Sequence, residues 1–354
     1  MLYTAAPLTA RQSKRRQART TQAQAWRTSE IDPQTQGAPA SEIETGTLVA
    51  HFGVAVDIRL ASGERRSVKV RRRSGHVVGD RVDVVGERLH RLARDTELRR
   101  RDAMGRTHVV AANLDVLGIV VAAVPASPSG FVDRALISAL AANIEPFLVI
   151  NKADLPATEE LVARVRETWI DGPGGLDIPV FVVCAKHADA PELASGLQEL
   201  RSFFANRSLD QPADQAVARP RRAAFVGTSG VGKSSLVNTL LPELALPVGE
   251  INSYSGLGRH TTTTATLHRL PDGGELIDTP GFRDFGLVDI SVAQLAAFFP
   301  GFTELHQYQG ACRFNDCRHD AEPDCAIKAA VAEGRLAPAR WQRYRELLTE
   351  LRQA

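Results

Sequence analysis

The stretch GTSGVGKSS, residues 227 to 235, has the residue types and spacing of a phosphate-binding loop. It matches G-x-x-x-x-G-K-S and lies between an apolar AAFV run and the helix-like SSLVNTLLP. In such a loop, backbone N–H groups converge on a β-phosphate, a lysine reaches the β- and γ-phosphates and a hydroxyl binds Mg²⁺. We predict Lys233 as a phosphate-binding and catalytic residue and Ser234 as a magnesium ligand. The other predicted contacts of this loop are Gly227, Thr228, Ser229, Gly230, Val231, Gly232 and Ser235.

The stretch NKAD, residues 151 to 154, follows the apolar run FLVI and has the groups needed to read guanine. Asp154 can accept from the guanine N1–H and 2-amino groups, which adenine does not offer. Asn151 can contact the opposite purine edge, and the stem of Lys152 can cover the ring, with Ala153 between them. Because a site built to satisfy hydrogen bonds rejects an analogue that lacks them, these residues predict selection of GTP over ATP.

The tripeptide CAK follows the apolar run VFVV and consists of Cys184, Ala185 and Lys186. We interpret it as a loop that supplies a backbone N–H near the same base. By itself the tripeptide is a weak signal, and its position at the end of a strand supports the interpretation.

Two further stretches predict a metal site and a switch. DTPG places the carboxylate of Asp278 at the end of a strand, near the metal, and a glycine near the γ-phosphate. GRHTTTT, residues 258 to 264, is rich in hydroxyls, and either Thr262 or Thr263 would complete the Mg²⁺ shell. A polar surface loop is the alternative for that stretch. The predicted switch residues are Asp278, Thr279, Pro280, Gly281 and Phe282.

The order of these elements is a cyclic rotation of the usual GTPase series, in which the phosphate loop precedes the base-reading element. Here the base reader at 151 to 154 precedes the phosphate loop at 227 to 235. A fold can survive the joining of its old termini and a new opening elsewhere when both points lie on the surface. We therefore predict a circularly permuted GTPase domain.

A second cluster, Cys312-x4-Cys317-x-His319-x5-Cys325, has the composition of a zinc site. Three thiolates and one imidazole complete a tetrahedral shell and leave no position for water, which favours one structural Zn²⁺ per chain. Three unrelated free cysteines are the alternative, and His306 nearby is interpreted as a surface histidine. Only four cysteines occur and three are clustered, which favours a reducing, cytoplasmic location over a disulfide framework.

The chain has 354 residues, of which 44% are hydrophobic. Because composition and sequence pattern change along it, we predict a multidomain protein. We expect a disordered basic arm at 1–44, an all-β RNA-binding barrel at 45–108, a central α/β P-loop GTPase domain at 109–290 and a mainly helical zinc-binding domain at 291–354; the OB-like form of the barrel is what the family resemblance described below implies. A transit peptide is the weaker interpretation of the arm. The longest apolar run, residues 114 to 124, is too short for a membrane span. We also expect the protein to be a monomer.

Arginine is concentrated in the predicted barrel, although the net charge of the chain is only +2. Clusters lie at residues 65 to 73 and 88 to 101, after a basic arm. One charged cluster is usually a solvated face, but two on a small barrel favour a polyanion-binding surface. With no aromatic residues interleaved, we expect recognition of RNA shape and backbone rather than base stacking.

The motif set resembles that of the ribosome small-subunit-dependent GTPase family, RsgA/YjeQ, over roughly residues 45 to 330. GTSGVGKSS, NKAD, GRHTTT, DTPGF and the cysteine cluster match the family pattern, whereas the basic arm is where the chain departs from it. The resemblance implies an OB-fold barrel, a zinc-held C-terminal domain and hydrolysis of GTP late in maturation of the small (30S) subunit. It also implies rRNA, GTP/GDP and other assembly factors as partners.

Catalysis is the open part of the sequence interpretation. Many GTPases use a glutamine after the glycine of this switch to orient water, and Phe282 occupies that place here. We therefore expect slow hydrolysis by the free protein, with the water positioned by another group or by a partner. His260, which the resemblance also favours, is the candidate, and an exposed loop histidine without a role is the alternative.

Two other functions remain open from the sequence. One is a permuted GTPase that acts on the large subunit, against which the basic barrel and the cysteine cluster argue. The other is an RNA-binding protein that senses GTP and GDP without hydrolysis, which Phe282 suggests.

Overall fold

The computed structural model describes residues 43–71, 74–102, 104–172, 174–187, 190–206, 220–244, 265–278 and 286–353. The predicted arm, apart from its last residues, lies outside these ranges.

Five antiparallel strands form the N-terminal region. They are β1 (Glu44–His51), β2 (Ala55–Leu60), β3 (Arg65–Lys69), β4 (Arg81–Val85) and β5 (Arg88–Arg91). β1 pairs with both β2 and β4, β2 pairs with β3, and β4 pairs with β5. Alternation of β-branched and polar residues buries one face, so that Val56, Ile58 and Val82 are fully buried while their sequence neighbours are not.

A two-stranded ribbon connects this region to the next. Its strands are β6 (Glu97–Arg101) and β7 (Thr107–Ala112), which pair antiparallel and form a sheet of their own.

The described residues of the central region include six strands. They are β8 (Val116–Ala122), β9 (Glu145–Asn151), β10 (Val180–Val183), β11 (Arg222–Val226), β12 (Thr266–Arg269) and β13 (Glu275–Asp278). The order across the sheet is β10-β9-β8-β11-β13-β12; the first five strands are parallel, and β12 is antiparallel to β13. β8 is buried along its whole length, as expected of a parallel strand covered on both faces.

Helices cover both faces of the parallel sheet. They are α1 (Phe131–Ala141), α2 (Ala157–Val165), which continues into a π-helical turn at Arg166–Ile170, α3 (Ala194–Ala205) and α4 (Lys233–Leu240). Alternate residues of β8 face opposite cores: Ile119 packs with α1 and α2, and Val120 packs with α3 and α4. The carboxyl ends of the parallel strands therefore open between two rigid layers, where ligands of such sheets bind.

The N-terminal strands are joined to this sheet. β1 pairs with β12 at Ala50 and Thr266, which makes one eleven-stranded sheet. Beside this junction, Glu275 accepts hydrogen bonds from Arg59 and from Arg222 Nε, the latter at 2.8 Å. Arg222 Nη1 also donates to the Gly79 carbonyl at 3.0 Å. The N-terminal region is thus held to the central sheet by strand pairing and by a partly buried ion-pair network.

The C-terminal region is helical. Its helices are α5 (Leu295–Phe298), α6 (Phe302–Gln309), α7 (Ala326–Ala332) and α8 (Pro338–Gln353). They enclose a core that includes Phe302, Tyr344 and Ile137, the last contributed by α1 of the central region. Arg134 and Glu350 form an ion pair of 2.5 Å between α1 and α8. In the described part of the chain, no helix is long and apolar enough to cross a membrane.

Candidate nucleotide site and metal centre

The predicted phosphate loop joins β11 to α4, the strand-to-helix setting that its chemistry requires. Gly230 and Gly232 adopt positive φ angles of 83° and 91°, and Gly232 caps α4. A Cβ on Gly232 would lie 2.3 Å from Asn151 Nδ2. Glycine is therefore required here by the left-handed backbone and by the close approach of another loop.

Lys233 lies within the loop it belongs to. Its ammonium donates to the Gly227 carbonyl at 2.5 Å and to the Thr228 carbonyl at 2.9 Å. Ser234 is exposed in the first turn of α4. The Thr228 hydroxyl oxygen is buried and has no hydrogen-bond partner among the described residues. The loop thus presents a cation and helix N–H groups at one strand end, which suits a polyphosphate.

Asn151 connects the base-reading element to the phosphate loop. It ends β9, is 2% exposed, and its Nδ2 donates to the Val231 carbonyl at 2.9 Å. Its Oδ1 accepts from the N–H of Ala185 at 3.1 Å. One side chain therefore holds together three stretches that are widely separated in the sequence. The reversed motif order is accommodated because strand order in the sheet, rather than order in the chain, brings them together.

The residues predicted to read guanine lie around this junction. Asp154 is exposed, and the Cys184 thiol donates to its Oδ1 at 3.1 Å. That bond lowers the pKa of the Asp154 carboxyl, while burial raises the pKa of the Cys184 thiol. Asp154 is therefore a charged acceptor directed by its neighbour. Lys152, with a φ of 66°, donates from Nζ to the Val124 carbonyl at 2.7 Å, and the Ala153 N–H donates to the Val183 carbonyl at 3.1 Å.

Sequence reasoning missed two side chains of this site. It assigned only a backbone role to the CAK loop, whereas the Cys184 side chain contacts Asp154. It did not select Thr239 of α4, whose hydroxyl lies 2.9 Å from the Ala185 carbonyl. The sequence did contain a signal for Cys184, because a residue able to donate a hydrogen bond precedes the alanine of the tripeptide. No motif marks the second.

Among the predicted switch residues, Asp278 is the one that lies in the described part of the chain, and it is also a predicted magnesium ligand. It ends β13, opposite Thr266 of β12, and is half-buried. Burial raises the pKa of its carboxyl, an effect that nearby His268 only partly offsets. Because burial disfavours the charged carboxylate, a cation bound beside it would stabilise the charge. The chemistry of Asp278 therefore fits Mg²⁺. The predictions for His260, Thr262, Thr263, Thr279, Pro280, Gly281 and Phe282 lie outside the described residues.

The four predicted zinc ligands lie together. The ligand atoms of Cys312, Cys317, His319 and Cys325 are all within 4.8 Å of one another. His319 Nδ1 is 3.5 Å from the sulfurs of Cys312 and Cys317 and 3.3 Å from that of Cys325. Zn–S and Zn–N bonds of about 2.3 and 2.0 Å at tetrahedral angles give an N–S separation of about 3.5 Å. The separations between His319 Nδ1 and the three sulfurs therefore fit one tetrahedral zinc ion.

The surroundings of the cluster support this donor set. Burial lowers the pKa of His319 to about 4, so its imidazole is in the neutral, ligating form. Trp341 Nε1 donates to the His319 carbonyl at 2.7 Å, which ties the cluster to α8. The ring of His306 lies 5.1 Å from that of His319, but His306 does not join the ligand set. It is half-buried rather than a free surface residue.

The parallel sheet carries the phosphate-loop motif after β11 and the predicted base-reading loops after β9 and β10, which come earlier in the chain. This arrangement is that of a circularly permuted P-loop GTPase. A family model described as RsgA GTPase matches residues 91–208 and 212–288. The chain belongs to the RsgA GTPase family.

Comparisons with individual proteins agree with this assignment. A small ribosomal subunit biogenesis GTPase RsgA of Pseudomonas fluorescens is 39% identical over 333 residues, which cover 89% of this chain and 88% of the relative. The same named protein of Pseudomonas savastanoi is 39% identical over 335 residues, which cover 90% and 89%. The crystal structure of YjeQ from Thermotoga maritima superposes with a TM-score of 0.65 at 26% identity, covering 88% of this chain and 99% of that chain. YloQ, a circularly permuted GTPase, has the same fold, with a TM-score of 0.61 at 24% identity, covering 90% and 98%.

Proposed function

We propose that this protein hydrolyses GTP during late maturation of the small (30S) ribosomal subunit, binds rRNA and leaves the subunit as its GDP form. The observation that carries the enzymatic part is the bridge from Asn151 to the Val231 carbonyl and the Ala185 N–H. The assignment of the subunit rests on relatives named for small-subunit biogenesis that share 39% identity over 89% of the chain.

The described residues account for binding and orientation of GTP. Asp154 accepts from the guanine edge, and the loop that contains Cys184, Ala185 and Lys186 supplies the backbone donor. Lys233 leaves the Gly227 and Thr228 carbonyls for the β- and γ-phosphates, since a phosphate oxygen is a stronger acceptor than a carbonyl. The other loop residues that hold the phosphates are Gly230, Val231, Gly232, Ser234 and Ser235.

Mg²⁺, held by Ser234, Asp278 and one hydroxyl of Thr262 or Thr263, would supply positive charge that neutralises the phosphate oxygens. Because Phe282 cannot orient water, the free protein hydrolyses slowly, and His260 positions the water when the protein is bound to the subunit. Asp278 to Phe282 form the switch that responds to loss of the γ-phosphate.

In this proposal the N-terminal and C-terminal regions bind RNA. The N-terminal strands pair in the order β3-β2-β1-β4-β5, and we interpret them as an OB-like barrel. Exposed cations of this region and of β6 form the contact surface; they include Arg65, Lys69, Arg71, Arg88, Arg91, Arg100 and Arg101. The cluster of Cys312, Cys317, His319 and Cys325 binds structural zinc.

We place the protein in the cytoplasm as a monomer that works alongside other assembly factors.

The decisive measurement is GTP turnover by the purified protein alone, with small subunits and with large subunits. We expect slow intrinsic turnover that small subunits raise strongly and large subunits do not. Asp154→Asn should lose the stimulated GTP turnover and recover it with xanthosine triphosphate, which shows that the stimulated activity belongs to this site. Turnover that neither subunit changes would overturn the assignment to ribosome maturation.

A further inference from the structure

Thr239 makes a contact that its own helix does not require. Its hydroxyl lies 2.9 Å from the Ser235 carbonyl and also 2.9 Å from the Ala185 carbonyl. A threonine within a helix commonly donates to the carbonyl four residues earlier, so the contact with Ser235 is ordinary. Ala185 lies 54 positions away in the sequence and belongs to the base-reading loop. Its one proton is shared between the two carbonyls, and this three-centre hydrogen bond links the phosphate helix α4 to the loop proposed to face the purine.

This contact determines the direction of a backbone donor. The carbonyl of Ala185 and the N–H of Lys186 belong to one planar trans peptide and point in opposite directions. Holding the carbonyl against α4 therefore turns the Lys186 N–H away from the helix. On the other side of Ala185, its own N–H is held by Asn151 Oδ1 at 3.1 Å. Both peptide groups that flank Ala185 are oriented by side chains outside the loop.

The helix end that carries Thr239 is itself held in place. Arg201 of α3 donates from Nη2 to the Thr239 carbonyl at 3.1 Å. That bond uses the main chain of residue 239, so a change of its side chain leaves it intact. Ala185 is 8% exposed, so its peptide groups lie in a closely packed part of the protein.

We infer that Thr239 is a positioning residue for guanine recognition, which acts through the Ala185 carbonyl on the backbone donor that meets the 6-oxo group of the base. The inference rests on the guanine site of the proposed function. Thr239 would affect recognition of the 6-oxo edge through that backbone donor, whereas the 2-amino edge is recognised by Asp154 and does not depend on Thr239. The bond also joins the phosphate helix to the base loop, which are distant in the permuted chain.

The test compares three purine diphosphates with wild-type protein, Thr239→Val and Thr239→Ser. GDP carries both edges, inosine diphosphate lacks the 2-amino group, and 2-aminopurine riboside diphosphate keeps the 2-amino group but lacks the 6-oxo group and, with it, the N1–H. Valine keeps the β-branched shape and removes the hydroxyl, and serine restores the hydroxyl. Dissociation constants are measured by calorimetric titration, and thermal unfolding of each nucleotide-free variant is recorded alongside.

We expect Thr239→Val to weaken GDP and inosine diphosphate by the same factor, roughly two- to tenfold for one neutral hydrogen bond. Binding of the 2-aminopurine nucleotide should stay unchanged, and Thr239→Ser should restore the wild-type pattern. Equal weakening of all three nucleotides would show a merely structural role and overturn the inference, as would no weakening at all. Wild-type protein that binds GDP and ADP alike would overturn the guanine site itself, whatever the variants do.

Discussion

Replacing Glu275 with alanine tests how the N-terminal region is held to the central sheet. The carboxylate contacts the guanidinium groups of Arg59 and Arg222, whose side chains are 10% and 7% exposed. Burial opposes the charge on Glu275, but the two arginines outweigh it and lower its pKa below the ordinary 4.5. Removing the acid leaves two largely buried cations facing each other, and breaking such a network costs about 3–5 kcal/mol.

That magnitude translates into a measurable shift. For a folded unit of 150–250 residues, 1 kcal/mol moves the melting temperature by about 2–4 °C, so Glu275→Ala should lower it by about 6–20 °C. Scanning calorimetry gives the melting temperature, and limited proteolysis between β7 and β8 reports release of the N-terminal region.

Glu44→Ala is the matched control, because Glu44 pairs with Arg66 at 2.5 Å with side chains 45% and 31% exposed. An exposed pair contributes about 0–1 kcal/mol, so this variant should melt within a few degrees of wild type. Equal melting temperatures for Glu275→Ala and Glu44→Ala would refute the argument that the buried network secures the junction.

Four further outcomes are expected. Since the pKa of Glu275 is lower in the folded protein than its unfolded value of 4.5, its stabilising effect should be complete above about pH 4.5 and fade as the pH falls further; Glu275→Gln should flatten that part of the unfolding profile, and an unchanged profile would contradict it. Lys233→Ala should abolish turnover and weaken nucleotide binding; unaltered single-turnover hydrolysis would mean that the loop is misassigned. Asp154→Asn should shift preference from guanine to xanthine nucleotides in competition titrations, and equal wild-type affinity for GTP and ATP would exclude a guanine site. Elemental analysis should find about one zinc per chain, lost in Cys317→Ser but kept in Cys184→Ser, whose cysteine lies outside the cluster; a metal-free protein with an intact C-terminal region would argue against zinc.

The sequence by itself determined the chemistry of the two sites. A phosphate loop and a zinc cluster are set by ligands of fixed geometry, so their residue types and spacings are constrained over short stretches. The loop at Gly227 to Ser235 and the cluster at Cys312 to Cys325 were predicted for that reason. The strands were also predictable, because runs such as β8, buried on both faces, are continuously apolar.

Only the tertiary structure decided which distant side chains support those sites. The contacts of Thr239 with Ala185, and of Cys184 with Asp154, depend on how a helix and two loops pack at one sheet edge. Neither hydrophobic periodicity nor motif spacing predicts such a contact, because strand order in the sheet brings together residues that are far apart in the sequence.

The same holds for charge. Arg94 lies in a basic run that suggested a polyanion surface, yet its side chain is 9% exposed and pairs with fully buried Asp80 at 2.6 Å. Arg99 of the same run pairs with Asp289 at 2.7 Å, on a different part of the chain. A sequence shows how many cations a segment carries, but burial and partners across the fold decide which of them remain exposed.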